Sequence, residues 1–183
     1  MNGHHLILGE LNDFITGASI KDTHDERYRQ KIARLLINRR GYLKSDIEPR
    51  KKLLVQAGDK RAIVKIDFLI NLSSRICMIV KYGPGSLVTR RRPVLAASRI
   101  AAPYQIPVAV VTNGEDAEIL EGSSGQVFAV GLESIPSRLE LENIAARNDF
   151  KAIPSWRVAM EARIVYCYEV DDSCPCDENI CKL

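Results

Sequence analysis

Between Arg61 and Ser86, apolar and polar residues alternate with a period of two. Ala62, Val64, Ile66, Phe68 and Ile70 fall on one side, and Ile76, Met78 and Val80 continue the pattern beyond Ser73-Ser74. This spacing predicts two strands joined by a tight polar turn. A loop with an odd number of residues sets Ile70 opposite Ile76, Phe68 opposite Met78 and Ile66 opposite Val80, so one apolar surface crosses both strands. A two-residue loop slips the register by one, pairs Phe68 with Ile79 and leaves each face mixed. The odd loop is therefore the expectation. It places Asp67 opposite Ile79, with Lys81 one diagonal step away on the same non-core face.

The flanking patterns supply the rest of the elements. A helix opens after Asp22-Thr23, either of which can act as N-cap, with Asp25 and Glu26 in the first turn where carboxylates suit the helix dipole. Tyr28, Ile32, Leu35 and Leu36 form its apolar stripe, Arg27, Arg29, Lys31, Arg34 and Arg39 point elsewhere, and Gly41 stops it. Residues 46–56 read as an edge strand limited by Pro49, entering the hairpin through Gly58-Asp59-Lys60. After the Tyr82-Gly-Pro-Gly-Ser86 bend, Thr89 to Pro93 opens a second helix carrying Val94, Leu95, Ala97 and Ala101, with Arg99 at its surface. The unbroken β-branched run Ile106–Thr112 predicts a strand buried on both faces, reached by a crossover, and hence an α/β sandwich. Strands at Ala117–Leu120 and Val127–Val130 follow, then a helix from Ile135-Pro136-Ser137 and another over Trp156–Val165, the latter packing Val158, Ala159, Ala162 and Val165.

Composition narrows the class. The chain has 183 residues, 46% of them apolar, enough for one domain with a real core and too apolar for wholesale disorder. It contains no apolar run of membrane-spanning length and no signal-peptide pattern at its start, so a cytoplasmic protein is expected. A net charge of +3 conceals a strong asymmetry: residues 27–100 hold nineteen bases against four acids, and acids dominate on both sides. A basic middle favours a polyanionic partner, because Lys and Arg gain affinity by releasing counterions from a phosphate backbone. The candidate nucleic-acid contacts are Arg50, Lys51 and Lys52 beside the hairpin and Arg90, Arg91 and Arg92 at the second helix start. Each cluster also has an ordinary reading, as a soluble edge strand and a solvated turn.

Asp67 on one strand and Lys81 on the next, with DERYRQKIARLLINRRGY before them and APYQIPVAVVTNG after, resemble the PD-(D/E)xK nuclease core. They resemble especially the N-terminal nuclease domain of type I restriction enzyme R subunits, from about Thr23 to Gly125. The resemblance implies a restriction-endonuclease-like α/β sandwich, a central mixed sheet flanked by helices, over residues 1–150. Residues 151–183 then form a C-terminal helix and a Cys-rich tail. It also implies catalytic roles for Asp67, Lys81 and the helix-borne Glu26, Mg²⁺ held by Asp67 and Glu26, and DNA and restriction-modification subunits as partners. The family's second acid falls at position 79, where this chain has isoleucine. Three readings stay open: a DNA-binding domain with weakened or lost cleavage, an active endonuclease with a migrated acid at Glu26 or Glu48, and a non-catalytic assembly or regulatory protein with a metal-binding tail.

Four of the five cysteines, Cys167, Cys174, Cys176 and Cys181, crowd the end of the chain with the spacing C-x6-C-x-C-x4-C. Four thiolates suffice for a tetrahedral zinc site, and a redox pair or no defined role are the alternatives. Cys77, in the second hairpin strand, reads as a small core residue.

Overall fold

The computed structural model describes residues 7–171 and 180–182. Its hub is a thirteen-residue strand, β4 (Lys60–Leu72), flanked in sequence by β3 (Ile47–Ala57) and β5 (Arg75–Tyr82). β3 runs antiparallel to β4 along one whole edge, from Ile47↔Ile70 to Ala57↔Lys60. β5 takes the other edge at Phe68–Leu72. The short β9 (Ile180–Lys182) takes that edge at Ala62–Val64, beyond the end of β5. The sheet continues through β6 (Val108–Thr112), parallel to β5, then β7 (Ala117–Glu121) and β8 (Val127–Val130), both antiparallel, giving the order β3-β4-β5-β6-β7-β8. The protein is thus α/β with a mixed sheet. A separate two-stranded hairpin, β1 (Gly9–Asn12) and β2 (Ser19–Asp22), precedes it.

Helices cover both sides of the sheet. α1 (His24–Asn38) and α3 (Arg138–Ala146) supply Ile32, Ala33, Leu36 and Leu141 to one core cluster. α2 (Arg91–Ser98) and α4 (Ser155–Tyr166) supply Val94, Ala96, Ala97, Val165 and Tyr166 to the other. Local rules explain the helix starts. The Thr23 hydroxyl accepts the Glu26 N–H at 3.1 Å, and Ser137 forms a reciprocal capping box with Glu140. All five residues of β6 are buried, as its unbroken apolar run requires. Emptying such positions, for example Ile32→Ala, costs about 2–5 kcal/mol. No helix among the described residues is long and apolar enough to cross a membrane.

The hairpin register differs from both expected alternatives. Its loop has two residues, Ser73 and Ser74, each with positive φ (50° and 64°), as a tight strand-to-strand turn requires. Leu72 pairs with Arg75 and Asn71 with Ile76, but a bulge at Cys77 then shifts the ladder, so Ile70 pairs with Met78, Leu69 with Ile79 and Phe68 with Val80. The extra residue restores the parity that an odd loop would have given. The apolar sides of the two strands still match, displaced by two residues, and the continued register brings Asp67 across from Lys81 rather than Ile79.

The single apolar stripe expected along β4 is also divided. Ala62, Val64 and Ile66 belong to the cluster under α2 and α4, whereas Phe68, Ile70 and Leu72 belong to the cluster under α1 and α3. The alternation changes sides at Asp67. Opposite it, Arg50 of β3 has a positive φ of 52° between the Pro49↔Phe68 and Lys51↔Ile66 pairs. Positive φ in a non-glycine strand residue is strained and persists only where surrounding contacts enforce it.

Two further expectations fail at the helices. Arg99 is buried, not at the surface, because Glu161 of α4, itself fully buried, receives Arg99 Nη1 at 2.8 Å and Arg157 Nε at 2.7 Å. Arg92 Nη2 makes a close ion contact with the same carboxylate at 2.6 Å. Burial opposes ionisation of Glu161, but the three guanidiniums outweigh it and hold its carboxyl below the ordinary range. Along α4, Ala162 and Val165 pack inward as expected, whereas Ala159 is exposed.

Candidate functional site

The left-handed residue and the side change converge on Asp67. Its carboxylate is buried, and both oxygens are taken: Arg29 Nε of α1 donates to Oδ1 at 2.5 Å, and the backbone N–H of Tyr82 donates to Oδ2 at 2.8 Å. Arg29 lies at the helix position three residues after Glu26, and its Nη1 comes 3.8 Å from Glu26 Oε2. One guanidinium thus stands between the two carboxylates. Its plane also rests on the Tyr82 ring, 5.1 Å from the centroid, and Tyr82 stacks on Tyr28 at 5.8 Å. Burial acts to lower the Arg29 pKa, but the Asp67 carboxylate and then Glu26 and Asp25 outweigh it, so the cation is held more firmly than in water.

Glu26 is occupied on its other side. Its Oε1 accepts from Arg50 Nη2 at 2.5 Å and from Gln30 Nε2 at 2.9 Å. Both donors also serve Asp13, in the turn between β1 and β2, through Arg50 Nη1 at 2.8 Å and Gln30 Nε2 at 2.9 Å. The positive φ of Arg50 is the conformation that accompanies this double bridge. Burial opposes ionisation of Asp13, yet hydrogen bonds from the Thr16 backbone, Gln30, Arg50 and the Thr16 hydroxyl hold its carboxyl far below the usual range. Tyr82 completes the rim by donating its hydroxyl to Asp25 Oδ1 at 3.1 Å, and burial followed by that acid pushes its own pKa up.

Lys81 is held by a different part of the chain. Its ammonium is 2.6 Å from Glu169 Oε2 and donates a longer bond, 3.5 Å, to the Lys65 carbonyl. Glu169 sits in a π-helical turn, Cys167–Asp171, that continues α4. Its neighbour Val170 is buried in the cluster under α2 and α4. Ile79 is fully buried in the same cluster, with Leu69 and Ala109.

A Mg²⁺ ion needs several oxygen donors free to converge at about 2.1 Å. Here the oxygens of Asp67 and Glu26 are engaged by Arg29, Arg50, Gln30 and the Tyr82 amide, and the remaining position is an apolar side chain. Among the described residues, no three His, Cys, Asp or Glu side chains are grouped to hold a metal ion. As arranged, these residues do not fit Mg²⁺.

The other predicted site residues are dispersed. Arg50 turns inward to the acid network, whereas Lys51 and Lys52 remain exposed and Lys51 pairs with Glu48 at 2.8 Å. Arg91 forms a two-point pair with Glu118, both bonds at 2.5 Å, and Arg92 joins Glu161. Arg90 lies over Gly83, where a side chain on residue 83 would meet its Nε at 2.9 Å. In the tail, Cys167 is an exposed free thiol and Cys181 lies in β9, but Cys174 and Cys176 are outside the described residues, so the proposed zinc site lies outside them too. Cys77 is buried, and burial raises its thiol pKa.

Four participants were missed: Asp13, Arg29, Gln30 and Glu169. Three had visible signals. Gln30 and Arg29 follow Glu26 by four and three residues, which places them beside it on a helix. Asp13-x-x-Thr16 is an Asx-turn spacing, and Asp13 Oδ1 does accept from the Thr16 N–H at 2.7 Å. Glu169 had none, being 88 residues from Lys81.

The domain is an α/β domain with a mixed sheet whose central hairpin carries Asp67 and Lys81 on adjacent strands, with the helix-borne Glu26 near Asp67. Residues 24–136 match the family described as type I restriction enzyme R protein N terminus (HSDR_N), and the chain belongs to that family. The match extends past Gly125 to include β8, and lies short of α4 and the Cys-rich tail. No curated protein and no solved structure matches the chain.

Proposed function

We infer that this chain is a DNA-binding domain of the type I restriction R-subunit kind, restriction-endonuclease-like in fold, in which Mg²⁺-dependent cleavage is weakened or lost. One observation carries the reading: the Arg29 guanidinium lies between Asp67 and Glu26, 2.5 Å and 3.8 Å from their oxygens, where a nuclease of this family needs a divalent cation. A fixed cation neutralises the acids but offers no coordination site for water or a phosphate oxygen. Ile79 removes the second acid at the same time. The migrated-acid alternatives receive no support, since Glu26 is bound by Arg50 and Gln30, and Glu48 is bound by Lys51 on the solvent side.

The DNA-binding half of the reading rests on family membership and on the basic segment 27–100. Restriction-modification subunits are the matching protein partners. Fluorescence anisotropy should show duplex binding with little sequence preference, weakening by about 0.9 log units per tenfold salt for each phosphate contact. Incubation with supercoiled plasmid and Mg²⁺ should leave it uncut. Cleavage that disappears in Asp67→Ala would overturn the loss of activity, and absence of binding at low salt would overturn the DNA reading.

A further inference from the structure

Lys81 and Arg90 border one small cavity together with Tyr82, Val94, Val111 and Glu169. Two of its walls are cations. Among the described residues no carboxylate pairs with Arg90, and Lys81 has only Glu169 as its counter-charge. The carboxylate nearly fills the space, leaving about 10 Å³, room for no more than a single water. Glu169 is not part of the sheet. It arrives on a π-helical turn, a rare conformation that recurs at functional positions, directly after α4.

The geometry points to a phosphate seat formed by Lys81 and Arg90 and closed by the chain's own Glu169, so that the C-terminal turn competes with a nucleic-acid phosphodiester for the same place. This rests on the DNA-binding reading above. A carboxylate and a phosphodiester are both single-charge oxygen anions, and a buried ammonium must face one or the other because an unpaired buried charge is costly. The bend Gly83-Pro84-Gly85 adjoins the seat, and the missing side chain at residue 83 is what lets the Arg90 side chain lie against the backbone there. When the seat opens, the site gains two contacts to the strand and loses one repelling acid. Sequence preference is not expected from such contacts, because phosphates carry no base identity.

The test compares wild-type protein with Glu169→Gln, which keeps the shape of the side chain and removes its charge. Anisotropy with a labelled duplex at low salt should show binding about three- to tenfold tighter for the variant, and a log-log salt slope steeper by about one to two. Adding Lys81→Ala to Glu169→Gln should cancel the gain. Wild-type protein gives a second readout that needs no variant: amide exchange over residues 167–171 should accelerate on adding duplex. Equal affinities of wild type and Glu169→Gln, or a gain that survives Lys81→Ala, or unchanged exchange, would overturn the seat while leaving DNA binding intact. No binding by either protein would overturn both. Inorganic phosphate at millimolar excess separates the possible sources, since a seat for a strand phosphate keeps the gain and a seat for the free ion loses it.

Discussion

The two halves of the hairpin site meet opposite fates. Asp67 and Lys81 come from adjacent strands, each one residue beyond the Phe68↔Val80 pair, yet Asp67 is engaged by α1, on the side of the Ile32 and Leu36 cluster. Lys81 is engaged by the turn after α4, whose Val170 belongs to the other cluster. On the acid side, three carboxylates share two guanidiniums, and the neutralising groups come from elements that build the core. On the lysine side a single ammonium meets a single carboxylate from a short turn. The difference teaches that the acid half is tied to the scaffold through several elements, whereas the basic half depends on one contact, which the proposed seat treats as exchangeable. Buried charges must be paired, and the acid half is paired from a long helix and a long strand, the lysine half from a five-residue turn.

The largest expected effect breaks the acid half. Arg29→Ala leaves Asp67 buried without its cation and should lower stability by about 3–5 kcal/mol, read by urea unfolding. Arg29→Lys should recover only part of this, because an ammonium cannot reproduce the planar contact with Asp67 and the Tyr82 ring. A loss within about 0.5 kcal/mol for Arg29→Ala would show that the network is not structural.

A smaller effect concerns pH. Asp13 has a folded pKa below its ordinary value of 3.8, so its stabilisation is complete above that value and is lost as pH falls through the folded pKa. Asp13→Asn should therefore reduce stability at neutral pH and flatten its decline below about pH 4. An unchanged acid slope would contradict the assigned hydrogen bonds. The smallest effect is expected at the solvent-side pair: Glu48→Ala should change stability by less than about 0.5 kcal/mol.

Where local rules dominate, the fold was readable in the sequence. The Thr23 cap, the β6 run and the strand-turn-strand pattern at Arg61–Ser86 all depend on neighbours in the chain. Register was not, because the bulge at Cys77 leaves no mark in the alternation: adding one residue to an even loop restores the same parity as an odd loop. Helix faces misled at Arg29 and Arg99, which the apolar stripe assigns to solvent and which tertiary carboxylates draw inward. The β1–β2 hairpin, Gly9–Asn12 and Ser19–Asp22, is too short and polar to show a period. Asp67 and Lys81 were legible through their spacing, but their partners Arg29 and Glu169 are set by packing across 38 and 88 residues.

The central claim, that Arg29 holds the place of the divalent cation, is tested most directly by titrating Mn²⁺ into the wild-type protein in a calorimeter. No saturable binding at the Asp67 site is the predicted result. Saturable binding of one ion, abolished by Asp67→Asn and unaffected by Arg29→Lys, would contradict it.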